Sequence, residues 1–249
     1  MTPRSQVDRL RPVPPPAEER PPHPLRTLIT ALIVTALDAA LLALALGGAG
    51  ALAHHARALA LVSIWGVTTL VLGFLRPVRA QDVVESAPGQ RMLLLALFLI
   101  PLLTPPLSAL GERMGWFPLP GGAPLRWAGV VLAAAGLALR IAAMDRLGPR
   151  FAPVVAVQRE HALETGGPYA RIRHPGYLGA GLANLGAALA FGSAIGLVGA
   201  ALMALALHTR MEAEEALLAR RFGDEFARYR ARTGRVLPRL GVARRHQAP

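Results

Sequence analysis

Polar and apolar positions in this chain segregate into long blocks rather than alternating residue by residue. Apolar runs cover about 27 to 48, 58 to 75, 92 to 110 and 125 to 144. Each holds about 18 to 22 residues, enough for one helix to cross a hydrocarbon core about 30 Å thick. A further run, 176 to 208, would measure about 50 Å as one straight helix, too long for a single crossing. Its Gly192-Ser193 break predicts a tight hairpin with arms of roughly 15 residues. The expected fold is all-α and polytopic, with four apolar helices followed by a C-terminal helical hairpin. Pro101, Pro105 and Pro106 predict that the third helix is kinked or shortened.

The polar stretches divide the chain into an expected tail at 1–26, transmembrane helices at 27–145, a core at 146–240 and a basic tail at 241–249. The first of these carries Pro12, Pro14, Pro15, Pro16, Pro21, Pro22 and Pro24 among Arg and Glu. Such a composition cannot bury a core and suits a flexible tail. Ala51-Leu52-Ala53 imitates a signal cleavage site, but the charged lead and the apolar run are both too long, so the first helix is read as retained.

Composition agrees with a membrane protein: of 249 residues 53% are hydrophobic and 17% charged, and the mean hydropathy is +0.40. The net charge of +12 comes from Arg alone, since the chain has no Lys, a pattern of coding bias. These Arg flank the apolar runs and no helix-turn-helix or finger accompanies them, so nucleic acid is not an expected partner. Without Cys there are no disulfides or thiolate sites, and no His spacing suits zinc; no metal is expected.

Arg also sets an orientation. Five stand in the tail, Arg57 alone in the next loop, then Arg76, Arg79 and Arg91, then Arg113 and Arg126, then Arg146, Arg150, Arg159, Arg171 and Arg173, with none at the hairpin tip. This alternation predicts a multi-pass protein of the cell inner membrane with both termini in the cytoplasm. Trp116 and Trp127 fit an aromatic belt at the opposite interface. From 220 onward nine Arg face only Asp224 and Glu225, read either as a solvated basic helix and tail or as attraction to an anionic leaflet.

Candidate chemistry lies in the block from His161 to Tyr177, set against the apolar run that ends in Arg210, Glu214 and Glu215. Ionisable groups beside hydrocarbon are costly, so such a concentration points to use. Gly166-Gly167-Pro168 is turn material, and Pro175 suits the first turn of the hairpin's leading helix, which puts His174 at its mouth. Unpaired amides there attract an anion, and His174 and Tyr177 share a face. At the other end Arg210 and Glu214 are neighbours, with Glu215 about 100° round the helix. A hairpin returns these two clusters to one membrane side.

Asp38, mid-helix in the first run, is expected to be protonated or paired across helices, because a charge there costs roughly 2.5–3.5 kcal/mol on insertion scales. Arg140 and Asp145 are read as an interfacial pair. Gly47-Gly48-Ala49-Gly50 follows no strand and is set aside as a phosphate loop.

The series His-x-Leu-x-Thr-x-Gly-Pro-Tyr, Arg-His-Pro-x-Tyr-Leu-Gly, Glu-Glu-x-x-Leu and Phe222-Gly223, with Tyr229 and Pro238, resembles the membrane-embedded isoprenylcysteine carboxyl methyltransferases and their bacterial relatives. Phospholipid N-methyltransferases share a similar C-terminal pattern. The resemblance covers about 158 to 240. It implies S-adenosyl-L-methionine as cofactor, held in cytoplasmic elements, and a lipophilic or membrane-partitioning acceptor arriving from the lipid bilayer. By motif position it implies cofactor contacts at His161, Leu163, Tyr169, His174, Pro175, Tyr177 and Glu214. Gln158 resembles another, with a shorter spacer to His161 here. Glu164 stands where the family usually has an apolar residue.

For the reaction, Arg210 matches the position that approaches the acceptor. Arg173 with His174 offers a corner for the donor's carboxylate, while His174 or Glu215 would take a proton if the acceptor were an amine or thiol. A membrane reductase using a nicotinamide cofactor, and a non-enzymatic transporter or scaffold, are the alternative readings.

Overall fold

The computed structural model describes residues 24–75, 83–86, 90–148, 156–158 and 163–239. The expected tail before residue 24, His161 and the basic tail at 241–249 lie outside the described residues. Within them run α1 (Pro24–Leu46), a short α2 (Ala49–Ala53), α3 (Ala56–Leu75), α4 (Gln90–Met114), α5 (Gly122–Leu147), α6 (Pro175–Ala190) and α7 (Ala194–Arg232). Five of these, α1, α3, α4, α5 and α7, are long and apolar enough to cross a membrane. The chain is a polytopic helical membrane protein.

Leu32, Ile33, Val67, Phe98, Val131, Val198 and Leu205 are exposed on the outside of these helices. Water would penalise such a band, whereas lipid chains solvate it. One feature adds to the all-α expectation: β1 (Val83–Ser86) pairs antiparallel with β2 (Ala156–Gln158), Val83 opposite Gln158 and Ser86 opposite Ala156. That ribbon joins the loop after α3 to the loop after α5. Both loops therefore occupy one end of the bundle, as the Arg alternation requires.

Helix α4 runs through its three prolines without stopping, so it is not shortened. Among the groups near them, the Thr104 hydroxyl donates to the Ile100 carbonyl at 2.7 Å.

The hairpin turns where the sequence places it, at Gly192 in the left-handed region (φ +61°) followed by Ser193, whose hydroxyl accepts from the Ile195 amide at 3.4 Å. The loop after α4 holds this turn, with Leu119 N–H donating to Gly192 O at 2.7 Å and Ser193 Oγ to Trp116 O at 2.9 Å. Trp116 and Trp127 are half exposed at this same end.

Here Arg57 donates to the Ala190 carbonyl at 2.6 Å and to Glu112 at 2.9 Å, and Arg126 reaches Glu112 at 3.2 Å. One carboxylate thus ties α3, α4 and α5 to the hairpin tip. Glu112→Ala is expected to cost about 1–3 kcal/mol through its orphaned guanidinium partners, read as a lower thermal midpoint in detergent.

Helices α5 and α6 form the tightest interface, across the boundary placed at residue 146. Gly129, Ala133, Gly136 and Arg140 share one face of α5, and Gly179, Ala183, Gly186 and Ala190 one face of α6, because steps of four and three return to the same side. A Cβ on Gly136 would stand 2.6 Å from Ala183 N and from Gly179 O. Only glycine lets the backbones approach this closely. Thr104, Ser108 and Gly111 of α4 meet Ser193, Gly196 and Gly199 at the start of α7 in the same manner.

Helix α7 has 39 residues, of which those before the break at Gly223 span about 44 Å at 1.5 Å per residue. It continues well past the expected second arm and leaves the membrane zone. Gly223 (φ 47°, ψ −119°) then bends the chain back towards the hairpin mouth.

Candidate functional site

The site is built where α6 begins. After a 3-10 turn at Gly167–Ala170 the chain runs irregularly through Arg171 (φ −115°, ψ −37°) to His174 (φ −125°, ψ 57°), and Pro175 and Gly176 open α6. The chain beyond Gly223 wraps this corner: Arg173 N–H donates to Gly234 O at 2.9 Å, His174 N–H to Arg235 O at 3.0 Å, and Gly234 N–H to Arg171 O at 3.1 Å. Phe226 and Tyr229 are buried beneath it. Phe226, Tyr229, Thr233 and Gly234 are thus buried walls of the site, while Arg228, Arg230 and Arg232 on the same stretch are exposed.

Glu215 is the knot of the corner. Its carboxylate, 5% exposed, accepts from Arg173 Nε at 2.9 Å and from Arg235 Nη2 at 2.9 Å, and lies 3.1 Å from His174 Nε2. Arg173 further donates to Thr233 O at 2.6 Å. A buried charge is tolerable only when paired this fully. Arg173, His174 and Glu215 therefore hold α6, α7 and the C-terminal segment together, with His174 meeting Glu215 through Nε2.

One helical step away, Glu214 faces the other side. Tyr177 Oη donates to Glu214 Oε2 at 2.6 Å and accepts from Arg210 Nε at 2.7 Å. The Tyr177 ring stacks on His174 (5.4 Å, 16°), and the Arg210 guanidinium lies 5.6 Å from the Tyr177 ring centre. Two strips of sequence separated by more than thirty residues meet as one polar chain, as the hairpin predicts.

Tyr169 is buried, donates to Ala143 O at 3.4 Å and accepts on its carbonyl from Tyr229 at 2.8 Å. Burial pushes its hydroxyl well above the usual phenol range, so it remains a neutral donor. Of the two tyrosines offered for a cation, only Tyr177 keeps part of its ring open. Leu163 is half-buried and Pro175 buried at the α6 start. Gln158 lies in β2, its side chain outside the described residues.

Arg140, read from the sequence as part of an interfacial pair, also reaches the start of α6. Its Nη1 donates to Gly176 O at 3.2 Å, in the first turn of α6. The signal was its place on the Gly129-Ala133-Gly136 face, which predicts contact with α6 rather than with Asp145 alone. Arg235 was missed, and no local motif marks it.

The geometry suits a ligand with both charge signs. His174 does not cap α6 with its side chain, so the helix-start amides, with Arg140 alongside, can receive an anion. Glu214 offers a carboxylate and Tyr177 an aromatic face for cationic groups. Among the described residues, no cluster of His and acids is arranged to hold a metal ion.

Residues 128–220 match the model of the isoprenylcysteine carboxyl methyltransferase family. Protein-S-isoprenylcysteine O-methyltransferase from Schizosaccharomyces pombe is 36% identical over 109 residues, 41% of this chain. The match spans 45% of that protein, less than half its length. The matched stretch runs from the glycine face of α5 through the hairpin to Glu215 and just beyond, and so contains Arg140, the Arg173-His174 corner, Tyr177, Arg210 and both glutamates. Through this segment the chain is similar to the isoprenylcysteine carboxyl methyltransferase family.

Proposed function

We propose that this protein is a membrane methyltransferase that transfers a methyl group from S-adenosyl-L-methionine to a lipophilic or membrane-partitioning acceptor. The observation that carries the reading is the Arg210–Tyr177–Glu214 chain beside the open start of α6, inside the family-matched segment. S-adenosyl-L-methionine, when bound, supplies a methyl on a sulfonium that departs as a neutral thioether. It is a zwitterion with an added cation, and the donor set matches it. The α6 amides and Arg140 would take its carboxylate, Glu214 its ammonium and the Tyr177 face its sulfonium. Leu163, His174 and Pro175 would shape the wall, and Gln158 and His161 would close it from the preceding loop.

Arg210 would pair with the acceptor and orient it. A carboxylate needs no base, in keeping with the O-methyltransferase name of the relative. Alignment and exclusion of water are then the protein's contributions. Glu215 is engaged by Arg173 and Arg235, so an amine or thiol acceptor would have His174 as its proton acceptor. We place the site and both termini on the cytoplasmic side of the inner membrane.

Calorimetry on detergent-solubilised protein tests the cofactor. Saturable binding of S-adenosyl-L-methionine is expected, weakened about 10- to 100-fold in Glu214→Gln because a charge-assisted hydrogen bond is lost, with no binding of nicotinamide cofactors. Unchanged affinity in that variant would remove Glu214 from the site. Incubation with methyl-labelled cofactor and native lipid extract then identifies the acceptor, and Arg210→Ala is expected to abolish labelling while cofactor binding persists.

A further inference from the structure

Far from the hairpin mouth, a narrow cleft opens between α1, α3 and α4. It is lined by Asp38 and Leu42 of α1, Leu61 and Trp65 of α3, and Pro101 and Leu102 of α4, with Pro105 and Pro106 at its back. The space, open mouth included, is about 300 Å³. Asp38 is half-buried there, and no described residue hydrogen-bonds or pairs with it, so the expected cross-helix partner is absent among the described residues.

The prolines sharpen this picture. In a helix the amides of residues 105 and 106 would donate to the carbonyls of residues 101 and 102, but proline has no N–H. Pro101 and Leu102, both among the residues that line the cleft, therefore carry carbonyl oxygens deprived of their helical donors. The cleft joins a carboxyl, two under-used carbonyls and an indole face, with aliphatic side chains around them. Every polar group named is an acceptor or an electron-rich surface. An ionisable group at this depth, kept despite its insertion cost, marks a ligand path by default.

We propose that this cleft binds the ammonium head of a lipophilic amine entering from the bilayer, with Asp38 as counter-ion, the Pro101 and Leu102 carbonyls as further acceptors and Trp65 as a cation–π face. The narrow shape suits a primary amine on an unbranched chain. A free metal cation would gain little from the aliphatic lining, and the carboxylate of a fatty acid would be set against the Asp38 carboxyl. The cleft is separate from the proposed methyl-transfer site, so binding here stands whether or not that reading holds.

The test uses full-length protein in phosphatidylcholine nanodiscs, with Trp116→Phe and Trp127→Phe so that fluorescence reports on Trp65. Dodecylamine is expected to bind saturably, and Asp38→Asn to weaken it about tenfold or more, as loss of a charge-assisted contact does. Dodecanol and dodecanoate should bind no better than they do to Asp38→Asn. Equal dodecylamine affinity in Asp38→Asn, or equal affinity for dodecanol, overturns the proposal. Should Asp38→Asn not yield monodisperse protein, Pro105→Ala with Pro106→Ala decides instead: the restored N–H groups should occupy the two carbonyls and weaken amine binding several-fold, and unchanged affinity refutes the site.

Discussion

Replacing Glu215 with alanine is expected to unfold the corner on which the site rests, at a cost of about 3–5 kcal/mol. The carboxylate neutralises Arg173 and Arg235 and meets His174, all within 3.1 Å at their nearest atoms. Removing it leaves two guanidinium groups facing each other with no anion between them, and Arg173 is itself only 8% exposed. The variant should show a much lower thermal midpoint in detergent and should lose cofactor binding. Glu215→Gln, which keeps acceptors but not charge, should fall between. If Glu215→Ala melts like the parent yet loses turnover, the residue acts in chemistry and the structural assignment is wrong.

Gly136→Leu is expected to separate α5 from α6. The added Cβ would strike backbone atoms of Gly179 and Ala183, which cannot rotate away as a side chain can. Overpacking commonly costs about 1–3 kcal/mol, and a clash with backbone belongs at the upper end or beyond. Since Arg140 and the α6 start are positioned by this interface, affinity for the methyl donor should fall along with stability. Gly181→Ala is the control, because its Cβ would meet only Leu207 Cδ1 at 3.5 Å, an ordinary contact. Equal midpoints for Gly136→Leu and the parent would show that the helices can shift without penalty.

Much of the fold was legible along the chain. Each of the first four apolar runs became one helix with ends shifted by a few residues: the run at 125 to 144 grew to Gly122–Leu147, and that at 27 to 48 became Pro24–Leu46. Glycine and serine at 192 and 193 marked a turn whose chemistry is local, and the structure uses both. From the turn alone it followed that Arg173 and His174 return to the level of Glu214 and Glu215. Less visible was the division of labour between the two glutamates. Adjacent residues on a helix point about 100° apart, and only the packing of α6 shows that Glu214 meets Tyr177 while Glu215 meets the Arg173-His174 corner.

The sequence by itself determined which segments cross the membrane, where the hairpin folds and which residue types crowd its mouth, because span length, turn preference and the cost of charge in lipid are properties of short stretches. Only the tertiary structure decided that Arg140 belongs at the α6 start, that Tyr229 to Arg235 fold back over Arg173, and that Asp38 faces a proline-lined cleft. These pairings join residues far apart in the chain, and their free energy comes from desolvation and close backbone approach, which exist only once the helices are packed.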